Sequence, residues 1–231
     1  MEFNSPLFGM LSGLCTSMWL LIHVAVLGIF LISGANPSVS SLIIFTVLSK
    51  MLAEKLFWKR AIDRMDEAGL GNWRDLINRD LILHSNVWMS FLMIFADILL
   101  DIVLIYTAFK TSLSPVLILF IFLGCQLLCA PFQGLISDYF NKKKSLFFAI
   151  VIGILVFLAS GQVFSEGWDE HPSLGLLIIR LLYLSSCNPG VQMIVLLCLK
   201  GSLGNITVIA RSCIARIVAL EAIDEKERQQ G

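Results

Sequence analysis

Long uncharged apolar runs alternate with short polar segments along this chain. Residues 115–131 and 146–164 contain no Lys, Arg, Asp or Glu, and the polar stretch GLISDYFNKKK lies between them at 134–144. About 20 apolar residues in a helix cross the hydrocarbon core of a bilayer. The other runs that suit a span, whole or interrupted, are 7–33, 38–48, 81–109 and 173–220. The pattern predicts an all-α polytopic membrane helical bundle with about six transmembrane helices.

Composition supports the same class. The chain is 57% apolar and only 15% charged, with a mean hydropathy of +0.84, well beyond an ordinary soluble domain. A water-soluble core is therefore excluded, and the lipid bilayer is the expected partner. The net charge is zero, so no nucleic-acid partner is expected.

No motif for catalysis or for a cofactor stands out. The six cysteines lie in apolar stretches without a CxxC pair, so we expect neither a disulfide nor a metal site. The chain lacks a nucleotide-binding glycine loop, HExxH and GxSxG. We expect no enzymatic activity and no cofactor.

Local charge predicts the orientation. Short loops rich in Lys and Arg stay on the cytoplasmic side, and Lys142, Lys143 and Lys144 follow one another in the polar stretch. Residues 50–80 carry seven basic side chains, so this connector is also predicted to be cytoplasmic, either along the headgroups or exposed to water. The stretch EGWDEHP at 166–172 is acidic and is expected outside. Both termini then face the cytoplasm, most simply at a plasma (inner) membrane.

The last apolar stretch, 173–220, allows one crossing or two. Asn188, Pro189 and Gly190 interrupt it. Two crossings would leave Arg211 and Arg216 outside, against the positive-inside rule, so one crossing is favoured. The chain then divides into a membrane hairpin at 1–49, an amphipathic connector at 50–80, a four-helix membrane segment at 81–220 and a polar tail at 221–231.

The stretch between the two uncharged runs resembles the cytoplasmic signature loop of the major facilitator superfamily. Gly134, Asp138, Lys142 and Lys143 fall on that pattern. Tyr139 and Asn141 depart from it, at positions where the family has a basic residue and a glycine. The resemblance implies that the matching residues form a conformational gate rather than a substrate site.

A second part of the chain is similar to the same family. Lys200 and Gly204 are spaced like the basic residue and glycine of that family's fourth helix, with Lys in place of Arg. The resemblance covers 81–216 and implies a secondary transporter of a small solute. Because the family has two six-helix halves, it also implies a second half or a homodimer partner. The alternative from another class is a non-transporting membrane scaffold, or a remnant of a transporter.

Two carboxylates stand inside a predicted span. An ionisable group in the hydrocarbon costs at least about 2.5 kcal/mol, so it needs a partner or a function. Asp97 and Asp101 are four residues apart and share one helix face. Either one of them holds a proton and couples it to transport, or they form buried ion pairs with Arg180, Lys200 or Arg211. Of these cations, Lys200 is expected to reach water along its span, and Arg180 and Arg211 are expected near the outer and inner surfaces.

Overall fold

A computed structural model describes residues 8–70, 77, 81–139, 142–163 and 173–230. Within these residues the regular structure is entirely α-helical, and no strand occurs. The helices are α1 (Phe8–Ser33), α2 (Val39–Glu67), α3 (Leu81–Ala108), α4 (Pro115–Tyr139), α5 (Lys142–Gln162), α6 (Leu174–Leu181), α7 (Pro189–Leu203) and α8 (Ile206–Gln230). The predicted all-α class is confirmed.

Local signals account for several helix ends. The Ser38 hydroxyl accepts a hydrogen bond from the backbone N–H of Ser41 at 3.2 Å and caps α2. Gly69 has a φ of +71°, which a residue with a side chain rarely adopts, and α2 ends just before it. Helix α2 therefore ends inside the segment predicted to be a connector. Asn188 caps α7, and Pro189 takes its first turn, where a missing N–H costs nothing.

Most of the stretch predicted to be a polar turn is helical. Helix α4 continues through Pro131 to Tyr139, and α5 already begins at Lys142. Gly134 and Asp138 are therefore helical residues of α4 rather than loop residues. Asn141 lies outside the described residues, and so does the acidic stretch 166–172.

Buried apolar side chains form two clusters, one toward each end of the bundle. The proximal cluster includes residues close to the α4–α5 turn and the ends of other helices: Phe8, Phe57, Met65, Leu83, Ala149 and Ile214. The distal cluster includes Leu27, Leu42, Leu104, Leu119, Val156 and Leu196. Each long helix passes from one cluster toward the other, and α7 and α8 together make a single passage.

This alternation brings four parts of the chain to one end of the bundle. The start of α1, the end of α2, the α4–α5 turn and the end of α8 all lie at the proximal end. Which side of a membrane this end faces stays a prediction. Helix α6 has eight residues and spans only about 12 Å at 1.5 Å per residue, so it is too short to cross and the placement is compatible with a single crossing after residue 173.

Five segments of the described chain are long and apolar enough to cross a membrane. They are Phe8–Ser33, Leu83–Ala108, Pro115–Tyr139, Lys144–Gln162 and Pro189–Arg228. Helix α2 is not among them, although it runs from Leu42 in the distal cluster to Met65 in the proximal one. Large apolar side chains point outward, such as Ile32, Phe147 and Leu128, which are 91%, 70% and 69% exposed. The architecture is that of a helical bundle suited to a bilayer.

Candidate functional site

Six charged side chains lie together at mid-height of the bundle, between the two apolar clusters. Asp97 lies between Ile94 of the proximal cluster and Leu104 of the distal one along α3. We call these six residues the charge network: Lys50 and Glu54 on α2, Asp97 and Asp101 on α3, Lys200 on α7 and Arg211 on α8. Three are cations and three are anions.

Lys200 joins the two carboxylates of α3. Its Nζ lies 2.6 Å from Asp97 Oδ1 and 3.2 Å from Asp101 Oδ1. It also donates to the backbone carbonyl of Gly204 at 2.6 Å. The ammonium therefore donates two hydrogen bonds inside the protein, lies against a second carboxylate, and has a side chain that is 0% exposed.

The two carboxylates have further partners on other helices. Asp101 Oδ2 pairs with Nζ of Lys50 and accepts a hydrogen bond from Gln126 Nε2 at 3.3 Å. Asp97 Oδ2 accepts from the backbone N–H and the hydroxyl of Thr207, at 3.1 and 2.8 Å. Asp97 thus ties α3 to α7 and α8, and Asp101 ties it to α2, α4 and α7.

Arg211 forms the other end of the network. Its Nε donates to the Thr207 carbonyl at 3.2 Å and lies 3.3 Å from Oε1 of Glu54, while Nη2 donates to the Thr16 hydroxyl. The guanidinium carbon lies 5.4 Å from the centre of the Phe57 ring, a cation–π distance. Thr207 therefore connects the Arg211 pair to the Asp97 pair.

Glycines make room for this arrangement. A Cβ at Gly204 would lie 2.9 Å from Cδ of Lys200, because the lysine side chain folds back over the end of α7. A Cβ at Gly153 of α5 would lie 3.7 Å from Cε of Lys200 and 3.3 Å from the Leu100 side chain. The basic residue and the glycine four positions later are thus one structural unit, with the lysine capping the glycine carbonyl.

The structure brings together three of the residues singled out from sequence and corrects two expectations. Asp97, Asp101 and Lys200 meet as ion pairs, and proton coupling through one of the aspartates stays a prediction. Lys200 does not reach water, and Arg211 is 1% exposed in the bundle interior rather than at the inner surface. Arg180 is exposed on α6, beside the distal cluster. It is not part of the charge network, in which the aspartates pair with other cations.

Sequence reasoning missed Lys50 and Glu54. Both lie in the first charged part of the segment interpreted as a cytoplasmic connector, so they were not placed among the spans. The signal available in the sequence was their spacing of four residues, which is also the spacing of Asp97 and Asp101. The two pairs differ in charge, because Lys50 and Glu54 have opposite signs. Helix α2 buries a stripe at similar spacing, Ala53, Phe57, Ala61 and Met65, and this stripe turns the face bearing Glu54 inward.

A small cavity opens beside the network. Polar side chains from α2, α4 and α8 line it, with room for about one water molecule. Its polar lining includes Ser49, Lys50, Glu54, Gln126, Asn205 and Arg211. Lys50 and Glu54 are its most accessible charges, with side chains 15% and 18% exposed.

The predicted gate residues make a second polar contact, at the proximal end. Asp138 accepts hydrogen bonds from the backbone N–H groups of Gly9 and Met10, at 2.9 and 2.8 Å. Its carboxylate thus binds the N-terminal end of α1, where free N–H groups and the helix dipole favour a negative charge. Gly134 packs directly on the backbone of Gly9. The side chains of Lys142 and Lys143 lie outside the described residues.

Replacing Asp138 with alanine is expected to reduce the free energy of unfolding by about 1 kcal/mol, since α1 loses its capping carboxylate. Asp138→Asn keeps one acceptor oxygen and should lose less. Thermal unfolding in detergent measures both, with Asp224→Ala as the control because that aspartate is exposed on α8. Equal stability of Asp138→Ala and the control would show that the contact does not cap α1.

Metal-binding chemistry is not indicated in the described part of the chain, where no group of three or more His, Cys, Asp or Glu is suited to hold an ion. Cys125 and Cys198 approach with 3.4 Å between their sulfurs as free thiols. No protein-family model, curated protein or solved structure matches this chain.

Proposed function

We propose that this protein is a secondary transporter of a small solute, related to the major facilitator superfamily. We also propose that the ion pairs of the charge network rearrange during transport. The observation that carries the proposal is a cluster of three cations and three anions at mid-height, four of them buried, beside a polar cavity. Buried ion pairs contribute little net stability compared with apolar packing. Charges inside a membrane protein are instead typical of solute and ion pathways.

Two further contacts support the relation to that family. The residues that resemble its signature loop, Gly134 and Asp138, lie where α4 meets the start of α1. The pair that resembles its fourth helix, Lys200 and Gly204, lies in the network itself. On this proposal Asp138, with Lys142 and Lys143, gates one end of the pathway, and a second copy or second half completes the transporter.

Proton coupling follows from the charge balance of the network. Lys50 and Lys200 share Asp101, and Lys200 also pairs with Asp97. A proton on Asp101 leaves two ammonium groups with a single carboxylate. Like charges then repel in a medium of low dielectric constant, which favours separation of α2 from α3. Proton binding and release at Asp101 would thereby bias the bundle between two arrangements.

A non-transporting scaffold is the second candidate, and one observation favours it. The proximal end carries an exposed charged surface, where α8 continues past its buried residues and Lys226 Nζ lies 3.4 Å from the Gly69 carbonyl. Such a surface suits a cytoplasmic partner. A scaffold has no need to open the cavity to both sides of the membrane, so accessibility separates the two functions.

We therefore expect a single cysteine at position 49 to be accessible from both sides. Ser49 lines the cavity, and alternating access exposes such a site to each side in turn. The experiment uses Ser49→Cys in a variant whose six native cysteines are replaced, sealed vesicles of both orientations and a membrane-impermeant maleimide. Labelling from both sides supports a transporter, whereas labelling from one side or neither supports the scaffold.

Two control cysteines and one pH series complete this test. Ile29→Cys, which replaces a 63% exposed apolar residue, should stay unlabelled, and Asp224→Cys should react from one side only. As the pH falls, the labelling of Ser49→Cys relative to Asp224→Cys should change with Asp101 present and become constant in Asp101→Asn. A ratio that follows the same pH course in both backgrounds would exclude Asp101 as the coupling group.

A further inference from the structure

Arg211 is a buried cation with an unused hydrogen-bond donor that faces a cavity. Its Nε and Nη2 donate within the protein, but no described residue accepts a hydrogen bond from Nη1. The residue is 1% exposed and lines the cavity beside the network. A buried donor without an acceptor is unfavourable, so the site favours any ligand that supplies an acceptor there.

The anion that now faces Arg211 is held loosely. Glu54 meets the guanidinium through Nε and Oε1 at 3.3 Å, and neither of its oxygens makes a well-formed hydrogen bond with a described residue. Arg211 prefers two parallel hydrogen bonds to a carboxylate. The Glu54 side chain is 18% exposed against 1% for Arg211, so the carboxylate has an open route outward and the guanidinium does not.

We propose that Arg211 is the receptor for the carboxylate head of a small organic solute, and that Glu54 occupies this receptor in the arrangement described here. The ligand carboxylate displaces that of Glu54 and accepts a hydrogen bond from Nη1, the donor that no described residue uses. Once Glu54 has moved outward and left its space, the rest of the ligand lies toward Lys50, Ser49 and Gln126, which supply a cation and neutral polar groups along the same wall. That this ligand is the transported solute rests on the proposed function.

Charge balance explains why the receptor accepts an anion. With Glu54 in place, the network holds three cations and three anions. When Glu54 moves outward, Arg211 remains in the interior without a counter-ion, which is strongly unfavourable. A carboxylate from outside restores the balance, whereas a neutral solute of the same shape does not.

Chemical rescue tests the receptor in the full-length protein in detergent. Glu54→Ala removes a CH₂ group and a carboxylate, and together these are about the size of acetate. The variant should unfold at a lower temperature than wild type, and sodium acetate should restore most of that loss in a saturable way, since a ligand that binds only the folded state stabilises it. Acetate should bind Glu54→Ala about tenfold more tightly than wild type, because the internal competitor is gone.

The controls distinguish a carboxylate receptor from a general salt effect. Sodium chloride at equal ionic strength, and acetamide as the neutral analogue, should not restore the unfolding temperature. Glu67→Ala, which changes an exposed glutamate on the same helix, should not respond to acetate. In Glu54→Ala/Arg211→Gln the acetate effect should disappear. Equal rescue by chloride, or no rescue by acetate, overturns the proposal.

Protein that keeps Glu54 provides a second measurement if Glu54→Ala does not fold. Sodium L-lactate should slow labelling of the Ser49→Cys reporter, and sodium chloride should not; equal labelling in both salts overturns the receptor proposal.

The results also distinguish failure of the receptor proposal from failure of the proposed transport function. Rescue with labelling from one side only indicates a carboxylate-binding protein that does not transport. Labelling from both sides without rescue indicates a transporter whose solute is not a carboxylate.

Discussion

Replacing Lys200 with methionine is expected to lower the free energy of unfolding by about 3–5 kcal/mol, the cost of removing one partner from a buried ion pair. Methionine keeps much of the length of the side chain but leaves Asp97 and Asp101 without their shared ammonium. The Gly204 carbonyl also loses its hydrogen bond. Thermal unfolding in detergent should show one of the largest decreases of any single substitution in the chain.

A double substitution separates the charge effect from the loss of packing. Asp97→Asn combined with Lys200→Met removes one charge of each sign and should recover a large part of the lost stability, since neutral replacement of a buried pair is far less costly than breaking it. Lys55→Met serves as the matched control, because Lys55 is exposed on α2. If Lys200→Met were as stable as that control, the buried network would have no energetic basis.

Replacing Gly134 with valine is expected to cost about 3 kcal/mol, at the upper end of the range for overpacking. A side chain at this position would overlap the backbone carbonyl of Gly9, so α1 and α4 would have to move apart. Small residues on both helices permit this close approach, as in many membrane helix pairs. The hydrogen bonds from Gly9 and Met10 to Asp138 would be lost with the same movement.

The same helix offers a matched control for this substitution. Gly124 also lies within α4, but a Cβ there meets no other atom within 4 Å. Gly124→Val carries the same change in helix propensity without the overlap. The difference in unfolding temperature between the two valine variants therefore measures the helix contact alone. A difference near zero would mean that α1 and α4 do not approach closely at Gly134.

Much of the fold was predictable because each signal is local. Uncharged runs of helical length, Gly69 after α2, and Asn188 with Pro189 before α7 each act within a few residues. The extent of α4 was not predictable in this way. The polar residues from Gly134 to Asp138 suggested a loop, but contacts with α1 satisfy Asp138 and cover Gly134, so the helix continues through them.

Half of the charge network was also predictable. Asp97, Asp101 and Lys200 stand out because each is a charge inside an apolar run. Lys50 and Glu54 do not stand out, because they lie near other charges in a segment that resembles a water-exposed helix, and Arg211 was expected at the inner surface. Only the packing of α2 and α8 against α1 turns these side chains inward, where Glu54 and Arg211 meet.

The sequence by itself determined that the solvent of this protein is a bilayer and where its long apolar helices lie, because the transfer of each side chain between water and hydrocarbon depends on that residue and its near neighbours. It predicted about six spans, and five described segments suit one. The tertiary structure decided which charges meet. Lys200 and Asp97 are 103 residues apart along the chain, and Arg211 and Thr16 are 195 apart. Such pairing exists only once the helices have packed, because burial makes an unpaired charge costly and leaves a partner on another helix as its compensation.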